Sequence, residues 1–224
     1  QRPSGRLFIM DGQTRVAAAR KAGFDDLECD VFCFQNIATE AEYFYRLNED
    51  RRAHMPPIHK WRAKLTSEDR ETIAIRDVLD SYGLQVCSSM IRNSNLIPTI
   101  SYLYVLYRVQ GAPLLKQTIE TIMYIYDDDD HRWVHPVMPS VANFILKYPD
   151  FDPDRLKHAM RRKLPLAEFF IADVKNYHRA FYGRDFPNKS TKDSQNSGIQ
   201  VFLREYNRPR HDHEFGRNSR LKEN

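Results

Sequence analysis

Leu7-Phe8-Ile9-Met10-Asp11-Gly12-Gln13-Thr14-Arg15, running on through Val16-Ala17-Ala18-Ala19-Arg20-Lys21-Ala22, is the stretch on which the fold turns. Four apolar residues read as a strand, Asp-Gly as a tight turn, and the alanine-rich run as a helix. A strand that turns directly into a helix leaves backbone N–H groups open at the helix start. With the positive end of the helix dipole, these make an anion site. Arg15 stands in the first turn, where its guanidinium can fork onto a phosphate. Asp11 can cap the helix or hold a metal cation beside the anion, and capping is the commoner role.

A second strand signal covers 27–34, from Leu27-Glu28-Cys29-Asp30-Val31-Phe32. Further on come Asn48-Glu49-Asp50-Arg51 and then Pro56-Pro57-Ile58. These elements together resemble the centre of the ParB/sulfiredoxin superfamily, with its G-x-x-R turn and its N-x-x-R…P-I box. The order of a small front followed by a long helical tail also resembles a ParB-like family of unknown function from phages and actinobacteria. The resemblance implies an α+β fold: a small ParB/sulfiredoxin-like α/β unit at the N-terminus, then a mostly α-helical bundle. It implies a phosphate or nucleotide pocket made by Gly12, Gln13, Thr14 and Arg15, with Asn48 and Arg51 approaching from the next helix. Its ligand would be a nucleoside triphosphate with Mg, and its macromolecular partner DNA.

Departures from the family pattern narrow this reading. Gln13 and Thr14 replace the usual Glu-Arg pair, and Leu47 stands where ParB proteins carry an acid that helps hold the metal of bound CTP. The Pro-Ile pair is one residue out of register. In sulfiredoxins the position of Gln13 is the catalytic Cys; without a thiolate, sulfinic acid repair is excluded. ParB-like domains place one or two strands and a helix before the first motif. Only Gln1 to Arg6 precede it here, so the resemblance implies that the front of the domain is missing.

Composition sets wider bounds. Hydrophobic residues at 42% suffice for a core in 224 residues, and the mean hydropathy of -0.64 reads as a soluble chain. No apolar run approaches the ~20 residues of a membrane span, so a membrane is not an expected partner. The net charge of +4 permits nucleic-acid binding without requiring it. Cys29, Cys33 and Cys87 lack paired spacing, which argues for a reducing cytoplasm; the resemblance implies that of a bacterium or phage-infected cell. Cys29 and Cys33 are expected to be buried as small apolar residues.

Beyond the second strand the period is helical. Thr39 is the expected N-cap of a helix over 39–51, followed by helices over 58–65 and from Ser67 to the stop at Gly83. The span 75–91 has the outline of a helix-turn-helix. Further helices are expected over 98–109, 112–126, 139–147, 153–163, 165–182 and 198–207. The expected organisation is a partial α/β domain over 1–52, a helical domain over 53–207, and a charged, disordered tail over 208–224.

Other groupings were weighed against plainer roles. The run Asp127 to Asp130 reads as a solvated loop anchored by Trp133 and Val134. His211-Asp212-His213-Glu214 could chelate a metal adventitiously. Tyr102, Tyr104, Tyr107, Tyr124 and Tyr126 read as helix packing rather than a base-stacking platform. Arg51, Lys60 and Lys64 are the basic residues best placed to share a nucleic-acid path, since Lys60 and Lys64 lie one helical turn apart. A metal-dependent nuclease is the enzymatic alternative, with Asp11 as metal ligand and catalytic carboxylate; cleavage would need a second converging carboxylate. A non-enzymatic structural or adaptor protein with a vestigial pocket is the other alternative.

Overall fold

The computed structural model of the chain describes residues 4–50, 56–88, 93–187, 191–208 and 221, with backbone alone for 48–50. Among these residues the helices are α1 Gln13–Lys21, α2 Ile37–Asp50, α3 Pro57–Thr66, α4 Arg70–Asp80, α5 Ile100–Tyr126, α6 Val137–Lys147, α7 Pro153–Lys163, α8 Ala167–Tyr182 and α9 Lys192–Tyr206. Two short strands, β1 Gln85–Val86 and β2 Leu96–Ile97, pair in parallel. The chain divides into two compact units, Gln1–Ile73 and Ala74–Asn224.

The expected α/β unit at the N-terminus is not formed, so the α+β reading is corrected to a mainly helical fold. Neither 7–10 nor 27–34 is a strand among the described residues. Their apolar side chains stand in solvent, Leu7 68% and Val31 58% exposed. Apolar content and β-branching favour a strand only where a neighbour completes the ladder and covers one face. Neither condition is met here. Cys29 and Cys33, expected to be buried, are exposed for the same reason.

In the first unit, α1 buries no residue, while α2 packs on α3. The α2 cap is Asn36 rather than Thr39: Asn36 Oδ1 accepts from the Thr39 N–H at 2.9 Å. The apolar residues Ala41, Phe44, Tyr45 and Leu47 are half-buried. Lys64 of α3 lies over the Tyr45 ring at 5.3 Å. Pro56 and Pro57 open α3, as proline's fixed φ favours at a helix start.

In the second unit, α4 ends and Gly83 turns the chain at φ 66°. Residues 85–86 then form β1, where a helix-turn-helix would begin its second helix. Of that expected helix, 89–92 lie outside the described residues. The two helices expected over 98–109 and 112–126 run together as α5. The break between them is retained in the backbone, at Gln110 (φ -141°) and Gly111 (φ 67°).

The core is built on α6 and α9. Helix α6 packs against α5 and α9, and α9 also packs against α7 and α8. Phe144, Phe170 and Phe202 meet there, the last two stacked at 4.4 Å. Gly198 is the closest approach of the two helices. A Cβ at Gly198 would lie 1.8 Å from Ser140 Oγ and 2.5 Å from Ser140 Cβ. Helix α9 begins at Lys192 rather than near Gly198. A capping box starts it: Ser194 N–H donates to Thr191 Oγ1 at 3.2 Å, and Thr191 N–H donates to Ser194 Oγ at 2.7 Å.

Helix α7 is locked to the end of α9 by polar contacts. Asp152 caps α7. The Asp152 N–H donates to Tyr206 Oη at 2.9 Å, and the buried Arg155 Nε donates to the Tyr206 carbonyl at 2.8 Å. Asn207 exchanges two hydrogen bonds with the Leu221 backbone, so part of the tail is held to this unit. The acidic run is only partly the solvated loop expected. The Asp129 side chain is 5% exposed. It accepts from the Ala167 N–H at 2.6 Å, capping α8, and from the His131 N–H at 2.7 Å. Trp133 is buried as expected, and its Nε1 donates to the Ser94 carbonyl at 2.6 Å.

Two stability predictions follow from these contacts. Gly198→Ala will lower unfolding free energy by about 1–3 kcal/mol, because overpacking outweighs the helix-propensity gain of Ala. Adding Ser140→Gly will recover part of that loss in a double-mutant cycle by thermal or urea denaturation. Asp129→Ala will cost about 1–2 kcal/mol as a lost cap. Asp128→Ala, at an exposed neighbour, will stay within roughly 0.5 kcal/mol of the parent.

Candidate functional site

The Asp11–Arg15 turn takes the local shape that its sequence demands. Gly12 sits at the N-cap of α1 with φ 82° and ψ 18°, a left-handed conformation that glycine adopts without penalty. The Asp11 carboxylate accepts from the Gly12 N–H at 2.7 Å and pairs with the Arg15 guanidinium at 3.3 Å. The guanidinium folds back over Gly12. A Cβ on that residue would meet Arg15 Nη2 at 3.1 Å and Nε at 3.2 Å. Glycine is favoured by its φ, and an added Cβ would push the exposed Arg15 guanidinium aside by a few tenths of an ångström.

This turn opens onto a cleft of about 690 Å³ within the first unit, lined by Asp11, Gly12 and Arg15 among others. Gln13 and Thr14 start α1 but do not line the cleft. Asn48 falls in the last turn of α2. Its side chain and Arg51 lie outside the described residues, so the expected second half of the pocket is not described. The cleft walls are mainly apolar, including Leu7, Phe8, Val31 and Phe32. Its charged lining is more acidic than basic: Asp11, Asp25, Glu28, Asp30 and Glu40 against Arg15 and Arg20. A bare phosphate is therefore favoured only near the two arginines. Beside the other charged lining residues it would meet carboxylates unless a divalent cation came with it.

Lys60 and Lys64 share one side of α3, with Lys64 held over Tyr45. Neither lines the cleft. The nuclease alternative needs carboxylates that converge. Among the described residues no group of three His, Cys, Asp or Glu side chains could hold a metal ion. Asp11 is engaged instead with Gly12 and Arg15. The sequence 211–214 lies outside the described residues.

The tyrosines form no platform. Tyr126 is buried, and burial together with Asp129 raises its hydroxyl well above the usual range. The Tyr102 hydroxyl accepts from Asn143 Nδ2 at 3.3 Å; burial pushes its pKa up to about 12, against the opposing pull of that bond. The Tyr124 hydroxyl donates to Asp154.

A second concavity, of about 390 Å³, lies in the second unit and is lined by His135, Lys175, Arg179, Asp185, Phe186 and Pro187. Sequence reading missed it. Lys175 and Arg179 carry a helical i, i+4 spacing, but nothing in the sequence joins them to His135 or Phe186.

The family of unknown function DUF6551 matches residues 2–186. No curated protein and no solved structure matches the chain. The match covers the turn and cleft of the first unit and nearly all of the second concavity, and on that span the chain belongs to the family of unknown function DUF6551.

Proposed function

We propose that this chain is a DNA-associated, ParB-like protein of a phage or mobile element, acting in the cytoplasm of a bacterial or phage-infected cell and holding nucleotide or nucleic-acid phosphate at the Asp11–Arg15 turn. The observation that carries the reading is the fold-back of Arg15 onto Gly12 at the start of α1. It brings a guanidinium and the first N–H groups of a helix to one point, the arrangement that recognises a phosphate oxygen. Arg15 is 76% exposed and its pairing with Asp11 is loose at 3.3 Å. An exposed pair of this kind is worth little, so a phosphate can take its place. Asp11, released from Arg15, would be free to supply an oxygen ligand to a Mg ion carried by a nucleoside triphosphate. Lys60 and Lys64 add positive charge on one side of α3.

The adaptor reading rests on a different observation. Leu7, Phe24, Leu27 and Val31 expose large apolar surfaces around the cleft, and such patches mark surfaces that another chain covers. The two readings separate on phosphate.

Titration calorimetry with CTP, ATP and GTP, each with Mg, will show binding of at least one. Arg15→Ala will weaken it roughly tenfold or more, the worth of a hydrogen bond to a charged group. Gly12→Ala will act in the same direction by displacing the guanidinium. No binding of any nucleotide, or binding indifferent to Arg15→Ala, leaves the adaptor reading in its place. For DNA, replacing Arg51, Lys60 and Lys64 by Gln will flatten the salt dependence of affinity by up to about three phosphate contacts. An unchanged slope removes these residues from any nucleic-acid path.

A further inference from the structure

The second concavity has a chemistry that the fold does not use. Lys175 and Arg179 stand one turn apart on the same face of α8, and both line it. Lys175 has no carboxylate partner among the described residues. Arg179 pairs with Asp185 at 2.8 Å, but both side chains are largely exposed. Such a pair exchanges readily for another anion. His135 contributes an enclosed Nε2 that has no hydrogen-bond partner. Burial, with Lys175 adding to it, lowers the pKa of this imidazole, so it is neutral at pH 7 and offers one hydrogen bond in either sense.

The apolar side of the concavity is equally defined. The Phe186 ring lies 5.7 Å from His135 and 5.2 Å from His178, and Pro187 extends the wall. His178 holds Phe186 from beneath. The Ser197 hydroxyl donates to the Asp193 carbonyl at 2.8 Å, so His178 Nδ1 must be the donor in its 2.9 Å contact with Ser197 Oγ. That fixes the His178 tautomer and ring plane. A concavity of about 390 Å³ is at the small end of metabolite pockets.

We propose that His135, Lys175, Arg179 and Phe186 form a binding site for a small organic molecule bearing an oxyanion, either a phosphate monoester or a carboxylate. Lys175 and Arg179 hold the oxyanion, and Asp185 is released from Arg179 as it enters. The His135 ring lines the concavity beside them, so an anion held there changes the environment of its nitrogens. Phe186 and Pro187 cover the carbon skeleton. The net charge of the lining, two cations against one carboxylate, selects an anion over a cation. This site lies in the second unit and the Asp11–Arg15 turn in the first.

The test uses the full chain and the imidazole nitrogen resonances of its histidines, titrated with inorganic phosphate in one arm and succinate in the other. The His135 Nε2 signal is expected to shift saturably, with a dissociation constant tighter than about 10 mM, with at least one anion. The arm that saturates names the headgroup. Lys175→Gln and Arg179→Gln, both at exposed positions, will each weaken the response at least about fivefold. Arg15→Ala will leave it unchanged, which separates this site from the first unit. The proposal is overturned if His135 responds to neither anion, or if its response is the same in Lys175→Gln and Arg179→Gln as in the parent.

Discussion

The close crossing of α6 and α9, where Gly198 meets Ser140, is the constraint on which the second unit depends. A missing Cβ lets the two backbones approach closely enough for Phe144 and Phe202 to pack from opposite helices. The other helices are placed from that pair. Ser197, beside Gly198, takes the hydrogen bond of His178 and so sets the register of α8. That register in turn puts Lys175 and Arg179 on the side of α8 that faces His135 and Phe186. A steric requirement in the core thus decides which charges reach a surface concavity one helix away.

Polar groups buried in this unit are used to join elements that lie far apart in sequence. Arg155 reaches the carbonyl of Tyr206, Asp129 caps α8, and the Ser94 carbonyl accepts from both Arg132 and Trp133. Burial lowers the Arg132 pKa, and the four neighbouring aspartates oppose that shift. Glu205 is fully buried between Arg204 and Arg208, which supply its counter-charge. Removing one member of such a set leaves its partner buried and unsatisfied, so these contacts specify the arrangement more than they add to net stability.

The first unit is stabilised differently. Helix α1 buries nothing, and its ion pair with Asp11 is exposed. A helix of nine residues is marginal on propensity alone. The same weak burial explains the acidic and apolar mixture of the cleft, since its walls are segments that no sheet has organised.

Local chemistry was legible in the sequence wherever a few adjacent residues decide the outcome. Gly12 before an alanine run determined a left-handed turn into a helix. The Gln110-Gly111 break divided α5, and Asp152-Pro153 started α7. Helix spacing placed Lys60 with Lys64 on α3. The apolar runs 7–10 and 27–34 have the composition of strands, but composition cannot supply the pairing partner that a strand needs. A strand is a property of two segments, and among the described residues no backbone ladder pairs either run. Asp129 looked like its three neighbours, and only the position of Ala167 made it a cap. Thr191 and Ser194 did carry a capping box in sequence, but one masked by the polar loop before it. The His135, Lys175 and Arg179 concavity left no mark in the sequence, because residues distant along the chain meet only after α6, α8 and α9 have packed. The sequence by itself determined the Gly12 turn into α1, the Gln110-Gly111 break and the start of α7; tertiary packing decided which polar groups are buried, which segments pair as strands and which charges share a pocket, since each of those depends on contacts between segments far apart in the chain.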